Sequence, residues 1–114
     1  MRNNKDAGRT GEDLAAAALQ KNGYTILTRN YRKKCGEIDI IAQKNDVVYF
    51  VEVKARSNTR YAAPADAVNA AKRRHIADTA SVWLAKNGER MTSFLVAEVD
   101  LTDNSVQFIE DFLR

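Results

Sequence analysis

The run Val47-Val48-Tyr49-Phe50-Val51-Glu52-Val53-Lys54-Ala55-Arg56 constrains this chain more than any other segment. It is rich in β-branched and aromatic residues and nearly continuous in apolar character, the pattern of a central strand covered on both faces. Glu52 and Lys54 break that pattern. Two residues apart on a strand, they point to one face, while Val51, Val53 and Ala55 point to the other. A carboxylate and an ammonium buried in such a strand are costly unless they are paired or bind a metal.

The segments around this strand are readable by period and punctuation. A helix is predicted over Asp6 to Asn22, dense in alanine and stopped by Asn22-Gly23, with Gly8, Ala15, Ala16 and Leu19 along one line. Strands follow over Tyr24 to Tyr31 and Glu37 to Gln43, then a hairpin turn at Lys44-Asn45-Asp46 leads into the strand Val47 to Arg56. Ser57 to Ala63 reads as a loop, and Pro64 opens a short helical turn over Ala65 to Asn69. A second long helix is predicted over Ala71 to Asn87, its apolar face made by Ile76, Ala80, Trp83 and Leu84. Strands over Ser93 to Leu101 and Ser105 to Ile109, joined by a turn at Thr102-Asp103-Asn104, finish the chain. The order α-β-β-β-α-β-β predicts a mixed α/β sheet flanked by helices. With 114 residues and no linker or repeat, residues 1–114 are expected to form a single domain.

Asp39 joins the charged pair through the hairpin. Counting back about six residues from Asn45 reaches Asp39 and forward about seven reaches Glu52, which makes the two carboxylates near neighbours across the ladder. Two hard carboxylate oxygens, with the Val53 carbonyl and water, suit Mg²⁺ or Mn²⁺. A cation held there can polarise a phosphate and acidify a bound water, and Lys54 can orient that water or oppose developing negative charge. The same three residues could instead form a buried ion-pair network. An aspartate in matching register, with basic residues around it, favours the metal.

Glu12 lies among glycine and alanine on the first helix. It reads either as a carboxylate favoured by the helix dipole or as a further group brought to the metal by close helix–sheet approach. One cysteine, Cys35, excludes an internal disulfide and fits a cytoplasmic setting. The polar start Met1 to Asp6 is followed by no apolar signal segment, and no apolar run is long enough to span a bilayer.

The net charge of +3 says little, but its distribution says more. From Arg29 to Arg74 there are 11 Lys/Arg against 5 Asp/Glu, and from His75 to Arg114 there are 3 against 7. Positive charge therefore surrounds the candidate site, as expected for a polyanionic partner. Arg56 and Arg60 follow the site, Lys72, Arg73 and Arg74 open the second helix, and Arg32, Lys33 and Lys34 form a third cluster. All are candidate phosphate contacts, and each can equally be a solvated surface charge. His75 reads as a surface or packing residue, Cys35 as packing or exposed, and Trp83 as core. Tyr31 and Tyr61 are weak candidates for base stacking.

Asp39 followed by Glu52-Val53-Lys54 on a hairpin resembles the signature of the restriction-endonuclease-like superfamily. More closely, the chain resembles the bacterial YraN family. The resemblance rests on Gly8-Arg9-Thr10-Gly11-Glu12, Gly23-Tyr24, Arg29-Asn30-Tyr31-Arg32, Gly36-Glu37-Ile38-Asp39-Ile40-Ile41-Ala42 and Phe50-Val51-Glu52-Val53-Lys54-Ala55-Arg56, and extends through Pro64 to Val68 and Lys72-Arg73-Arg74. Tyr61-Ala62-Ala63 departs from the family's aromatic-glycine pattern before Pro64. The resemblance implies a restriction-endonuclease-like mixed β-sheet flanked by helices, related to archaeal Holliday-junction resolvases. Onto those proteins' catalytic set Glu12, Asp39, Glu52 and Lys54 map in order. The function expected is that of a Mg²⁺- or Mn²⁺-dependent endonuclease on DNA, branched or single-stranded, with a homodimer needed for symmetric cutting of a junction. Its rivals are a nucleic-acid-binding module without turnover and a protein-interaction subunit whose charged set is structural.

Overall fold

The computed structural model describes residues 4–57 and 70–110, with side chains described from Thr10 onward. The order is α1 (Asn4–Lys21), β1 (Thr25–Lys33), β2 (Gly36–Lys44), β3 (Val47–Arg56), α2 (Ala70–Asn87), β4 (Met91–Asp100) and β5 (Ser105–Glu110). This is the predicted order of elements, with strand ends displaced by one or two residues. The loop expected over Ser57 to Ala63, the turn after Pro64, Arg60 and Tyr61 lie outside the described residues, apart from Ser57 itself.

One five-stranded sheet forms, with strand order β1-β2-β3-β4-β5. The pairs β1·β2, β2·β3 and β4·β5 are antiparallel, while α2 carries the chain over to β4, which runs parallel to β3. The β2–β3 hairpin turns at Asn45-Asp46 with Lys44 opposite Val47. Asn45 takes φ 56°, a left-handed conformation that asparagine tolerates well.

The two helices cover opposite faces. Ala15, Ala16 and Leu19 of α1 pack on Ile40, Ala42, Val51, Leu95, Ala97 and Val99. Ile76, Ala80 and Trp83 of α2 pack on Ile38, Ile41, Val48, Phe50 and Val96. The expected role of Trp83 as core holds: it meets Phe50 edge to face with ring centres 6.0 Å apart. β3 contributes to both layers, as its nearly continuous apolar run requires. Two glycines let the helices settle closely. A methyl on Gly11 would collide with Ala55 Cβ, so α1 rides directly on β3. A methyl on Gly36 would stand 2.8 Å from Thr79 Oγ1 and 3.0 Å from the His75 carbonyl, so the start of β2 touches α2. Among the described residues no helix is long and apolar enough to cross a membrane.

The regular alternation of β2 fails at one place. Ile38 packs on the α2 side and Ile40 on the α1 side, although residues two apart on a strand normally share a face. Their partners on β1 are Tyr31 and Arg29. Between those partners lies Asn30, with φ 55°. Both strands exchange faces together, and the residue at the exchange on β2 is Asp39.

Candidate active site

The site forms where β2 leaves β3. Their paired residues run from Lys44 and Val47 as far as Ile40 and Val51. Beyond that point the Val53 amide donates to the Asp39 carboxylate, Oδ2, at 2.8 Å. A side chain thus takes over the acceptor position that a strand carbonyl would fill, and a part-buried N–H is satisfied. The separation of the strands opens a cleft of about 510 Å³, lined by Gly36, Asp39, Glu52, Lys72, His75 and Ile76, among others.

Glu52 is buried, at 5% exposure, and faces α2. Its carboxylate forms an ion pair with the Lys72 ammonium. Asp39 is pushed up to about 7, first by burial and then by the neighbouring charge of Glu52, against the opposing pull of the Val53 amide. Lys54 shares the face of Glu52. Burial and the adjacent Lys72 charge hold its ammonium below the ordinary lysine range, while Glu52 and Asp39 pull the other way. Lys72 is raised despite its own burial, chiefly by Glu52. Two carboxylates and two ammonium groups therefore converge beside the first turn of α2.

This donor chemistry fits a hard divalent cation. Two carboxylates sit together at the cleft wall, and burial with mutual repulsion works against ionising both of them. A cation between them would relieve that repulsion. Among the described residues no three His, Cys, Asp or Glu converge as a metal-binding group. The protein's share would thus be two carboxylates and the Val53 carbonyl, with water completing the shell. Mg²⁺ commonly keeps such a water-rich shell.

Glu12 does not line the cleft. The close approach expected of α1 is present at Gly11, but the Glu12 carboxylate accepts from Arg29 Nε at 2.9 Å and from Asn30 Nδ2 at 3.1 Å. It lies on the α1 side of the sheet, behind the residues where β1 and β2 exchange faces. It reaches Asp39 only as the last of the influences that raise it. Its position makes it a support for the backbone around Asn30 and Asp39.

The candidate phosphate contacts divide. Lys33 and Lys34 are exposed at the β1–β2 turn, near the mouth of the cleft, with Lys33 Nζ 5.1 Å from the Tyr31 ring centre. Arg32 is exposed but ion-paired with Glu37, which faces it across the ladder. Arg74 is exposed and Arg73 half-buried on α2. Arg56 turns toward a residue that the sequence reading passed over: its Nε lies 3.4 Å from Glu98 Oε1. Glu98 is 6% exposed, stands beside Lys54 in the parallel β3·β4 register, and receives no hydrogen bond from the described residues. The signal for it was the one that revealed Glu52, a carboxylate interrupting the apolar run Phe94 to Val99. His75 is an exposed residue on the cleft wall, and Cys35 is partly buried with Sγ 3.5 Å from Thr79 Oγ1.

Comparison with known proteins covers nearly the whole of this geometry. The profile of the uncharacterised protein family UPF0102 matches residues 11–103. A UPF0102 protein of Clostridioides difficile is 43% identical over 109 residues, covering 94% of this chain and 96% of that relative. One of Symbiobacterium thermophilum is 51% identical over 81 residues, covering 71% of this chain and 69% of its own length. One of Geotalea daltonii is 42% identical over 109 residues, covering 94% and 86% respectively.

Proposed function

The chain belongs to the uncharacterised protein family UPF0102, the YraN family, and we propose that it is a divalent-metal-dependent endonuclease acting on DNA. The observation that carries this reading is the pairing of Asp39 with Glu52 in one cleft, beneath the first turn of α2 and beside Lys54 and Lys72. The separation of two strands at an aspartate, with Glu52-Val53-Lys54 on the second of them, is the arrangement expected of a restriction-endonuclease-like fold.

Asp39, Glu52 and the Val53 carbonyl would hold Mg²⁺ or Mn²⁺, which when bound supplies charge neutralisation at phosphorus and an acidified water. The other tasks fall to the chain. Lys54, on the face of Glu52, holds the attacking water or meets the charge developing on the phosphate. The backbone N–H groups that open α2 draw the phosphodiester toward the cleft. Lys33, Lys34 and Arg74 keep the flanking strand in place by phosphate contacts that carry no sequence information. Such a site acts on backbone chemistry rather than on bases, which suits recognition of DNA by its structure. Symmetric cutting of a junction calls for a homodimer.

A second reading has its own support. Glu52 already has Lys72 as a partner, and Glu12 is engaged on the other face of the sheet. A nucleic-acid-binding module without turnover would show these features too. The deciding experiment is cleavage of labelled single strand, duplex, flap and four-way junction with Mg²⁺ or Mn²⁺. Wild type and Glu52→Gln are compared side by side. The endonuclease reading expects metal-dependent products from wild type, reduced on the order of 10³-fold in the variant. Salt-sensitive binding by both proteins with no product from either would transfer the assignment to the binding module.

A further inference from the structure

We propose that Lys72 is the resident counter-ion of the carboxylate pair: it holds Glu52 while no divalent cation is bound, gives Glu52 up when one enters, and then meets the substrate phosphate. The inference rests on the metal-dependent reading above and gives a specific task to a residue outside the aspartate and glutamate–lysine set.

The position of Lys72 is unusual for a lysine. It is the third residue of α2, where the helix dipole disfavours positive charge. The first turn contains no acidic residue to offset it. A base at this point is stabilised by what lies opposite, the Glu52 carboxylate with Asp39 behind it. Local preference is overridden by the site, as is common where a residue serves function.

Charge arithmetic gives the rest. Lys72 is the ammonium that ion-pairs with Glu52, while Lys54, on the same face, is opposed by the Lys72 charge and drawn by Glu52 and Asp39. A divalent cation neutralises both carboxylates at once. Lys72 sits on Glu52 Oε2, so a cation drawn to the same carboxylate would compete with it. The Lys72 side chain is 38% exposed and carries its ammonium on a flexible four-carbon stem. Released from Glu52, its ammonium stays at the helix N-terminus and faces the mouth of the cleft, where an incoming phosphate arrives. Gly36 sets this geometry by letting α2 rest against the start of β2.

The test is Mn²⁺ binding to the full chain, free of other divalent ions, followed by the loss of the free Mn²⁺ electron-paramagnetic signal. Wild type, Lys72→Met and Lys72→Arg are compared. Lys72→Met keeps the length of the side chain without its charge and is expected to bind Mn²⁺ about tenfold more tightly than wild type. Lys72→Arg is expected to stay within about threefold of wild type, and DNA cleavage at saturating Mn²⁺ is expected to fall in Lys72→Met in spite of its tighter metal. Circular dichroism checks folding, and Lys72→Gln carries the same comparison if the methionine variant unfolds. Mn²⁺ binding by wild type that is unchanged or weakened in the neutral variant overturns this proposal alone. Absence of Mn²⁺ binding in wild type and neutral variant alike overturns the metal reading and this proposal with it.

Discussion

The Asp39 carboxylate accepts the Val53 amide at 2.8 Å, tying an aspartate on one strand to the peptide that immediately follows Glu52 on the next. This bond closes the β2·β3 ladder at its open end and fixes the distance between the two acids. It also sets two effects against each other. The amide favours the charged form of Asp39, whereas burial and the charge of Glu52 disfavour it, and the latter win. The cleft is thus held in a geometry whose electrostatics a cation would improve.

Asp39→Asn separates these effects. Asparagine keeps an oxygen for the Val53 amide and removes the charge that faces Glu52. In the protein stripped of divalent ions at pH 8, the variant is expected to be more stable than wild type by on the order of 1–2 kcal/mol, because a forced ionisation has been removed. Urea unfolding followed by tryptophan fluorescence measures this directly, since Trp83 lies in the α2-side core. Added Mg²⁺ should raise the midpoint of wild type and leave that of the variant where it was. A lower midpoint for Asp39→Asn without metal would mean that the Asp39 charge is welcome, and the repulsion argument would fail.

The same repulsion fixes the pH dependence. Asp39 is raised from its ordinary 3.8 to about 7 in the folded chain. Between those two values the folded chain keeps a proton that the unfolded chain has lost. Its contribution to stability is therefore complete below about pH 4 and is lost as pH rises through about 7. Wild type without metal should lose urea resistance from pH 5 to pH 8 relative to Asp39→Asn, which lacks the titrating group. Because metal and proton compete for Asp39, the gain in melting temperature with Mg²⁺ should be larger at pH 8 than at pH 6. A gain that is equal at both values would remove Asp39 from the metal's ligands.

Much of this architecture is legible in the sequence because the signals are periodic. The alternation of β3, the apolar face of α2 and the turn at Asn45-Asp46 place Asp39 near Glu52 by counting alone. What escapes counting is where a strand departs from its period. Nothing in Ile38-Asp39-Ile40 announces that the two isoleucines face opposite layers, since that follows from Asn30 adopting a left-handed backbone on the neighbouring strand. That exchange accompanies the placement of Glu12 behind the sheet, bonded to Arg29 and Asn30, where helix spacing alone allowed it beside the proposed metal site. Lys72 was legible as a basic residue at a helix start, but its ion pair with Glu52 depends on the way Gly36 seats the helix.

Gly36 can be tested on that point. A methyl there would meet Thr79 Oγ1 at 2.8 Å and His75 backbone and Cβ at 3.0 Å, so α2 must move outward. Gly36→Ala is expected to destabilise the fold by about 1–3 kcal/mol, the usual range for overpacking. Because the shift carries Lys72 away from Glu52, cleavage should fall at a temperature where the variant is still fully folded. The paired control is Thr79→Ala together with Gly36→Ala, which removes the nearest side-chain obstacle and should recover part of the loss. Full stability in Gly36→Ala alone would show that α2 is not seated by this contact.

Arg56 and Glu98 make the last case, because their burial is unequal. The Glu98 side chain is 6% exposed and that of Arg56 32%, with Nε and Oε1 3.4 Å apart. Removing the arginine strands a buried carboxylate, whereas removing the glutamate leaves a guanidinium that can turn toward water. Arg56→Met should therefore cost on the order of 1–3 kcal/mol, less than for a fully buried pair because Arg56 is about a third exposed. Glu98→Gln should cost markedly less, and Arg56→Met with Glu98→Met should recover much of the single-variant loss. Denaturant unfolding of all four proteins completes the cycle. The same set separates structure from recognition: with the guanidinium engaged by Glu98, Arg56→Met should alter the salt dependence of DNA binding less than Lys34→Met does. Equal destabilisation by Arg56→Met and Glu98→Gln would contradict the asymmetry, and a larger salt effect at Arg56 than at Lys34 would return the arginine to the phosphate contacts.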